Sequence, residues 1–215
     1  MHSVTSSTHN SSRRLPWALT AALLWLAGGA LARAADTPEL APIFNGRDLA
    51  GWRAPATDPF WKVVDGVLVG ENDAALAGSM LRTEKSYHDF VLDLEARWSA
   101  GADTGIFLRE PSLQVQIGVS GSLKMDMTCS FYTGAAERYP AAGRAQIPAG
   151  LLLADGWNRI RLEAKGDTFT VWLNGHQVVR YVDARFPGAA PIGLQIHPKV
   201  RMKTEFRNIR ARALD

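Results

Sequence analysis

The sequence predicts an all-β domain, an antiparallel sandwich or barrel. Three observations carry this. Short segments alternate strictly between apolar and polar residues, Gly, Asp and Asn turns separate them, and no sustained helical period follows residue 34. A chain of 215 residues, 47% hydrophobic, is long enough to bury one sizeable core.

Elements follow in chain order. Trp61 to Leu68 (WKVVDGVL) reads as a hairpin turning at Asp65-Gly66. Ala74 to Leu81 has room for one short helix at most. From Phe90 to Trp98, Leu92, Leu94, Ala96 and Trp98 take one face, and Asp93, Glu95 and Arg97 the other. Ile106 and Leu108 alternate with Gly105, Phe107 and Arg109. Leu113, Val115 and Ile117 alternate with Gln114 and Gln116. Leu123, Met125, Met127 and Cys129 alternate with Lys124, Asp126 and Thr128. Arg159 to Ala164 alternates again, and Asn174-Gly175 is a strong hairpin turn. Near the end, Leu194 and Ile196 alternate with Gln195 and His197, and the last strand is expected beside an early one.

The amino end reads as a leader. Arg13 and Arg14 precede an uncharged run from Leu15 to Leu31, and Ala32-Arg33-Ala34 offers small residues where a signal peptidase reads. Pro16 and Gly28-Gly29 interrupt the run, which disfavours a membrane anchor. The expected organisation is therefore a signal peptide over 1–34, a linker over 35–42 and a single β-sandwich domain over 43–215, in a periplasmic or secreted protein. The leader holds three of the 24 Lys and Arg and no Asp or Glu, so 21 basic residues face 21 acidic ones in the remainder. That balance gives no electrostatic case for nucleic acid, and no membrane contact is expected once the leader is cleaved. Cys129 is the only cysteine. It excludes internal disulfides and sits in an apolar alternation, as a small core residue would. Oligomeric state has no signature in the sequence.

Polar residues of both signs recur at the parity opposite to the core: Glu95, Arg97, Arg109, Gln114, Gln116, Lys124, Asp126, Gln195 and His197. If their strands share one sheet, they converge on one surface. Carboxylates, amides, arginine and an aromatic such as Phe107 suit a sugar, whose hydroxyls need planar polar partners and whose ring face accepts aromatic cover. A solvated sheet face produces the same pattern without any site. The sequence contains no G-x-S-x-G, H-E-x-x-H, phosphate-loop or dinucleotide motif.

Several motifs together resemble a family, the 3-keto-disaccharide hydrolases, also described as 3-keto-glucoside lyase/hydratases. They are FNGRDLAGW (Phe44 to Trp52), WKVVDGVL, Tyr87-His88-Asp89-Phe90 leading to Glu95, TGIFLR (Thr104 to Arg109), VQI (Val115 to Ile117), DGWNRIRL (Asp155 to Leu162), LNG (Leu173 to Gly175), and IGLQIH followed by FRNIR. The resemblance implies a concanavalin A- or LamG-like jelly roll acting on a small saccharide or glycoside. It implies that a ketone at C3 acidifies the C2 proton, that a base removes it, and that the C1 substituent leaves before water adds. Carried onto this chain, His197 or Glu95 is the base, and Arg109 or Lys124 holds the enolate oxygen. A divalent metal is the alternative holder, with no other cofactor implied. Phe107, Gln114, Gln116, Lys124, Asp126 and Gln195 are the expected substrate contacts. Gln114 stands where the family usually has Glu. Ile196 and Pro198 flank His197 where it usually has an acidic residue and Gly. A non-catalytic carbohydrate-binding module is the alternative reading.

Overall fold

Two turn dipeptides set the first-order geometry. Asp65 and Gly66 both have positive φ (48° and 80°), as do Asn174 and Gly175 (48° and 88°). This is the backbone a tight, right-twisted hairpin demands. The hairpins join β3 (Trp61–Val64) to β4 (Val67–Glu71), and β12 (Thr168–Leu173) to β13 (His176–Val182). The computed structural model describes residues 39–56, 58–134 and 137–214. The expected leader lies outside them.

The remaining strands, in chain order, are β1 (Ala41–Pro42), β2 (Trp52–Arg53), β5 (Ser79–Tyr87), β6 (Phe90–Trp98), β7 (Asp103–Glu110), β8 (Leu113–Ser120), β9 (Met125–Asp126), β10 (Phe131–Tyr132), β11 (Asn158–Lys165), β14 (Gly188–Ile196) and β15 (Lys203–Ala213). One sheet has eight strands in the order β13-β12-β11-β6-β15-β4-β3, with β1 on β15. The other has seven in the order β10-β8-β7-β14-β5-β2, with β9 on β8. Every pairing is antiparallel. Among the described residues there is no α-helix, only a 3-10 turn at Ala141–Gly143, and no helix long and apolar enough to cross a membrane. Ala74 to Leu81, where a short helix had room, is a turn leading into β5, with Leu76 in the left-handed region. Ala41 and Pro42 pair with Ala211 and Arg210, so the expected linker ends as a strand and the last strand does lie beside an early one.

The core fills the space between the sheets. Leu92, Leu94, Ile160, Leu162, Phe169 and Val171 face it from one side, Ile106, Val115, Ile117, Leu194 and Ile196 from the other, all essentially inaccessible. Truncating any of these to Ala costs about 2–5 kcal/mol, because a rigid neighbourhood refills only part of the cavity. Cys129 is buried there too, and burial pushes its thiol up to about 12, as expected for an inert core residue. One alternation fails. Met125 is 54% exposed and Leu123 is exposed as well. Beyond the two-residue β9 the chain turns back through Met127–Ser130, with Cys129 at φ 65°, so no continuous strand runs from 123 to 131.

Candidate functional site

Asp103, Gly105 and Phe107 of β7, Gln114 and Gln116 of β8, and Gln195 of β14 alternate with core residues on adjacent strands. Their side chains therefore share the face of the seven-stranded sheet turned away from the core. A cavity of about 740 Å³ opens on this face. Phe107, Gln114, Gln116, Gln195 and His197 line it, with Asp103, Ser112, Tyr132, Arg138, Tyr139 and Lys199 and, at its rim, Lys124. The size falls within the usual range for small-ligand sites.

Gly105 makes the floor possible. A Cβ there would lie 2.1 Å from Gln114 Nε2 and 2.6 Å from the Val115 carbonyl oxygen. Gln114 uses that space to lie across β7, its amide 3.3 Å from both Gln116 Oε1 and Gln195 Oε1. Gln116 Nε2 donates to Asp103 Oδ1 (2.8 Å), and the Gly121 N–H donates to Asp103 Oδ2 (2.8 Å). The Tyr139 hydroxyl donates to Gln116 Oε1 at 3.1 Å. Burial pushes that hydroxyl up to about 12, so it stays a donor rather than a base. Tyr132 and Tyr139 meet edge to face, centroids 5.2 Å apart, and form an aromatic wall.

His197 sits just beyond β14. Its Nδ1 lies 2.7 Å from the Pro198 carbonyl oxygen, and its Nε2 lies 4.0 Å from Asp103 Oδ2. A carbonyl only accepts, so Nδ1 carries the proton and Nε2 is the basic nitrogen of the neutral ring. The loop that follows is clamped. Asn72 Nδ2 donates to the Val200 carbonyl oxygen, Asn72 Oδ1 accepts from the Met202 N–H (3.1 Å), and the Lys199 N–H donates to the Leu76 carbonyl oxygen (2.8 Å).

Three expected site residues lie elsewhere. Glu95 belongs to β6, in the eight-stranded sheet. There its carboxylate takes Arg207 Nε (2.5 Å) and Asn208 Nδ2 (3.2 Å), in an outward-facing array of compensated charges that includes Arg97–Glu205 and Arg159–Asp93. Trp157 is flanked there by the guanidinium groups of Arg97 and Arg207. Arg109 has the right sheet but the wrong side. A bulge between Phe107 and Arg109 reverses the alternation and turns Arg109 inward, where it is 2% exposed. It donates to Asp89 Oδ1 (2.7 Å) and to the Phe186 carbonyl oxygen (3.2 Å), and burial holds its pKa below the ordinary arginine value. Asp126 is exposed on β9, takes the Thr128 N–H (2.8 Å) and lines a separate surface cleft beside Met125 and Arg144. Conversely, sequence reading missed Asp103, which one more step of the 105–107–109 parity would have reached. It also missed Tyr139, which a loop brings in and no alternation marks.

Among the described residues, no three His, Cys, Asp or Glu side chains gather as a protein metal cage requires. Among the described residues, His197 and Asp103 are the only donors of that kind lining the cavity.

A sandwich whose outer sheet face carries amides, a histidine and an aromatic wall in one cavity defines a carbohydrate-active type of β-domain. The chain belongs to the family of 3-keto-alpha-glucoside-1,2-lyase-like domains, whose model matches residues 39–212. Among curated proteins, none matches the sequence. Among solved structures, the chain is similar to a protein of Parabacteroides distasonis ATCC 8503 named "putative glycosyl hydrolase". The TM-score is 0.59 at 21% identity, over 82% of this chain and 100% of that one. It is similar to the carbohydrate binding module CBM66 from Bacillus subtilis, with a TM-score of 0.56 at 16% identity over 76% and 96%. It is also similar to a Bacillus subtilis protein of unknown function with a galectin-like fold, with a TM-score of 0.55 at 12% identity over 80% and 94%. Identities this low speak for the shared fold.

Proposed function

We propose that the cavity binds a glycoside oxidised to a ketone at C3 and that His197 opens it by removing the C2 proton. The observation that carries this reading is the contact between Nδ1 and the Pro198 carbonyl, which leaves Nε2 as the basic nitrogen of a residue that lines the cavity. Family membership supports the substrate class. The ketone makes the C2–H bond acidic, and Nε2 takes the proton. The Gln195 amide N–H₂, which donates to no protein group among the described residues, donates to the C3 oxygen as negative charge develops there. Asp103, 4.0 Å from Nε2, stabilises the imidazolium. The C1–O bond then breaks as the C1=C2 bond forms, and the imidazolium returns its proton to the departing oxygen. Water adding across C1=C2 completes a net hydrolysis; release of the unsaturated ketone instead is a lyase outcome.

The test is incubation of the protein with phenyl 3-keto-glucoside, with and without chelator. Wild type should release phenol. His197→Ala and His197→Gln should each lower kcat by at least about a hundredfold, the scale of a lost general base, with an unchanged melting temperature. Full activity in both variants would remove His197 from the reaction. One observation favours a second reading. Three amides form the floor, and its one carboxylate already accepts from Gln116 and Gly121. Binding without turnover by wild type would identify a non-catalytic carbohydrate-binding module.

A further inference from the structure

The charges around the cavity do not cancel. Lys124, Arg138 and Lys199 line it against a single carboxylate, Asp103. That carboxylate is committed to the Gln116 amide and the Gly121 N–H. Among the described residues, none of the three cations has an ion-pair partner. Some cations elsewhere are paired, as Arg97 is with Glu205 at 2.9 Å and Arg207 with Glu95 at 2.5 Å, and others, such as Arg53 and Arg180, have no such partner among the described residues, so what sets the cavity apart is the gathering of three cations around one committed carboxylate. The local excess of cations is not a by-product of a basic chain, since acidic and basic residues balance beyond residue 34. Lys124 and Lys199 also occupy left-handed backbone, φ 57° and 67°, where a long side chain is an uncommon choice.

We propose that the ligand is an acidic saccharide, a glycoside carrying a carboxylate on its reacting ring or on its aglycone. The inference rests on the reading of this cavity as a saccharide site. The sheet face supplies the hydroxyl partners and the aromatic wall, and the rim supplies the counter-charge. The enolate does not account for all three cations, because its oxygen needs one donor and Gln195 offers it. Exposed cations each raise an anion's affinity a few-fold, so three together are worth about tenfold at low salt, and less as salt screens them.

Titration calorimetry on the full chain carrying His197→Gln keeps chemistry out of the measurement. The ligands are the 3-keto forms of phenyl glucoside, phenyl glucuronide and 4-carboxyphenyl glucoside. At least one acid should bind about tenfold tighter than the neutral compound, and the advantage should shrink at high salt. Lys199→Met and Arg138→Met should each reduce the acid-to-neutral affinity ratio several-fold. Equal affinities, a tighter neutral ligand, no binding at all, or a ratio that neither variant nor salt moves would overturn the inference. Wild-type turnover of the neutral ketone without acid preference overturns it while the reading of the reaction stands. Acid preference without turnover of any ketone supports it while that reading falls.

Discussion

The Pro198 carbonyl accepts a hydrogen bond and cannot give one, so its contact with Nδ1 determines which nitrogen of His197 is basic. Asp103 is the carboxylate beside that nitrogen, 4.0 Å away. Its carboxylate is fixed by Gln116 and Gly121, with Oδ2 turned toward Nε2. Asp103→Asn keeps the size and the acceptor for Gln116 but removes the charge opposite the imidazolium. On the proposed reaction it should lower kcat roughly tenfold and leave KM within a factor of about two, since the charge matters mainly after proton transfer. Steady-state kinetics on phenyl 3-keto-glucoside check this. An unchanged kcat would mean that the 4.0 Å approach does no electrostatic work. Gln114, Gln116, Gln195 and His197 were legible in the sequence because each lies on an unbroken alternation next to core residues. Glu95 and Asp126 alternate just as cleanly, yet nothing in a single strand's pattern says which sheet it joins or where it stops.

At the scale of the element, β7 shows how irregularity carries as much information as pattern. Gly105 is the middle of its three cavity-facing positions, and it has no side chain because Gln114 of the neighbouring strand occupies that space. Gly105→Ala should destabilise the domain by about 1–3 kcal/mol, the usual cost of overpacking against a backbone that cannot retreat. By displacing Gln114 it should also weaken saccharide binding. Chemical denaturation and titration on the same variant measure both effects. A stable variant with intact binding would show that the floor rearranges freely. Two residues further on, the bulge turns Arg109 from the cavity to the core. TGIFLR contains no Gly or Pro after Gly105 to announce it, so alternation extrapolated past Phe107 fails. The hairpins at Asp65-Gly66 and Asn174-Gly175 were legible for the opposite reason. Their backbone requirement is met by residue types that tolerate positive φ.

Across the whole molecule, that inward arginine joins the two sheets at one end of the sandwich. Arg109 starts from the seven-stranded sheet and reaches Asp89 in the turn before β6, the Phe186 carbonyl in the segment before β14, and, at 3.4 Å, the Gly166 carbonyl between β11 and β12. The Gly166 N–H returns to the same Asp89 oxygen at 3.0 Å, and the Phe169 ring lies 5.6 Å from the guanidinium. Such a group is desolvated and only partly compensated, since its Nε has no partner among the described residues, and removing it empties the space it fills and leaves the buried Phe186 carbonyl unpaired. Arg109→Ala should therefore cost roughly 3–5 kcal/mol, a fall in melting temperature of about 6–20 °C for a domain of this size. Arg109→Met tests the cause, since it restores apolar volume but not the hydrogen bonds. It should recover only part of the loss if the polar contacts matter, and nearly all of it if packing alone does. Neither variant should change the affinity of the cavity for saccharide beyond what partial unfolding explains, because Arg109 is buried on the other side of its sheet. A selective loss of binding or turnover in a stably folded Arg109→Met protein would return this residue to the site and require the sheet face assigned to it to be wrong.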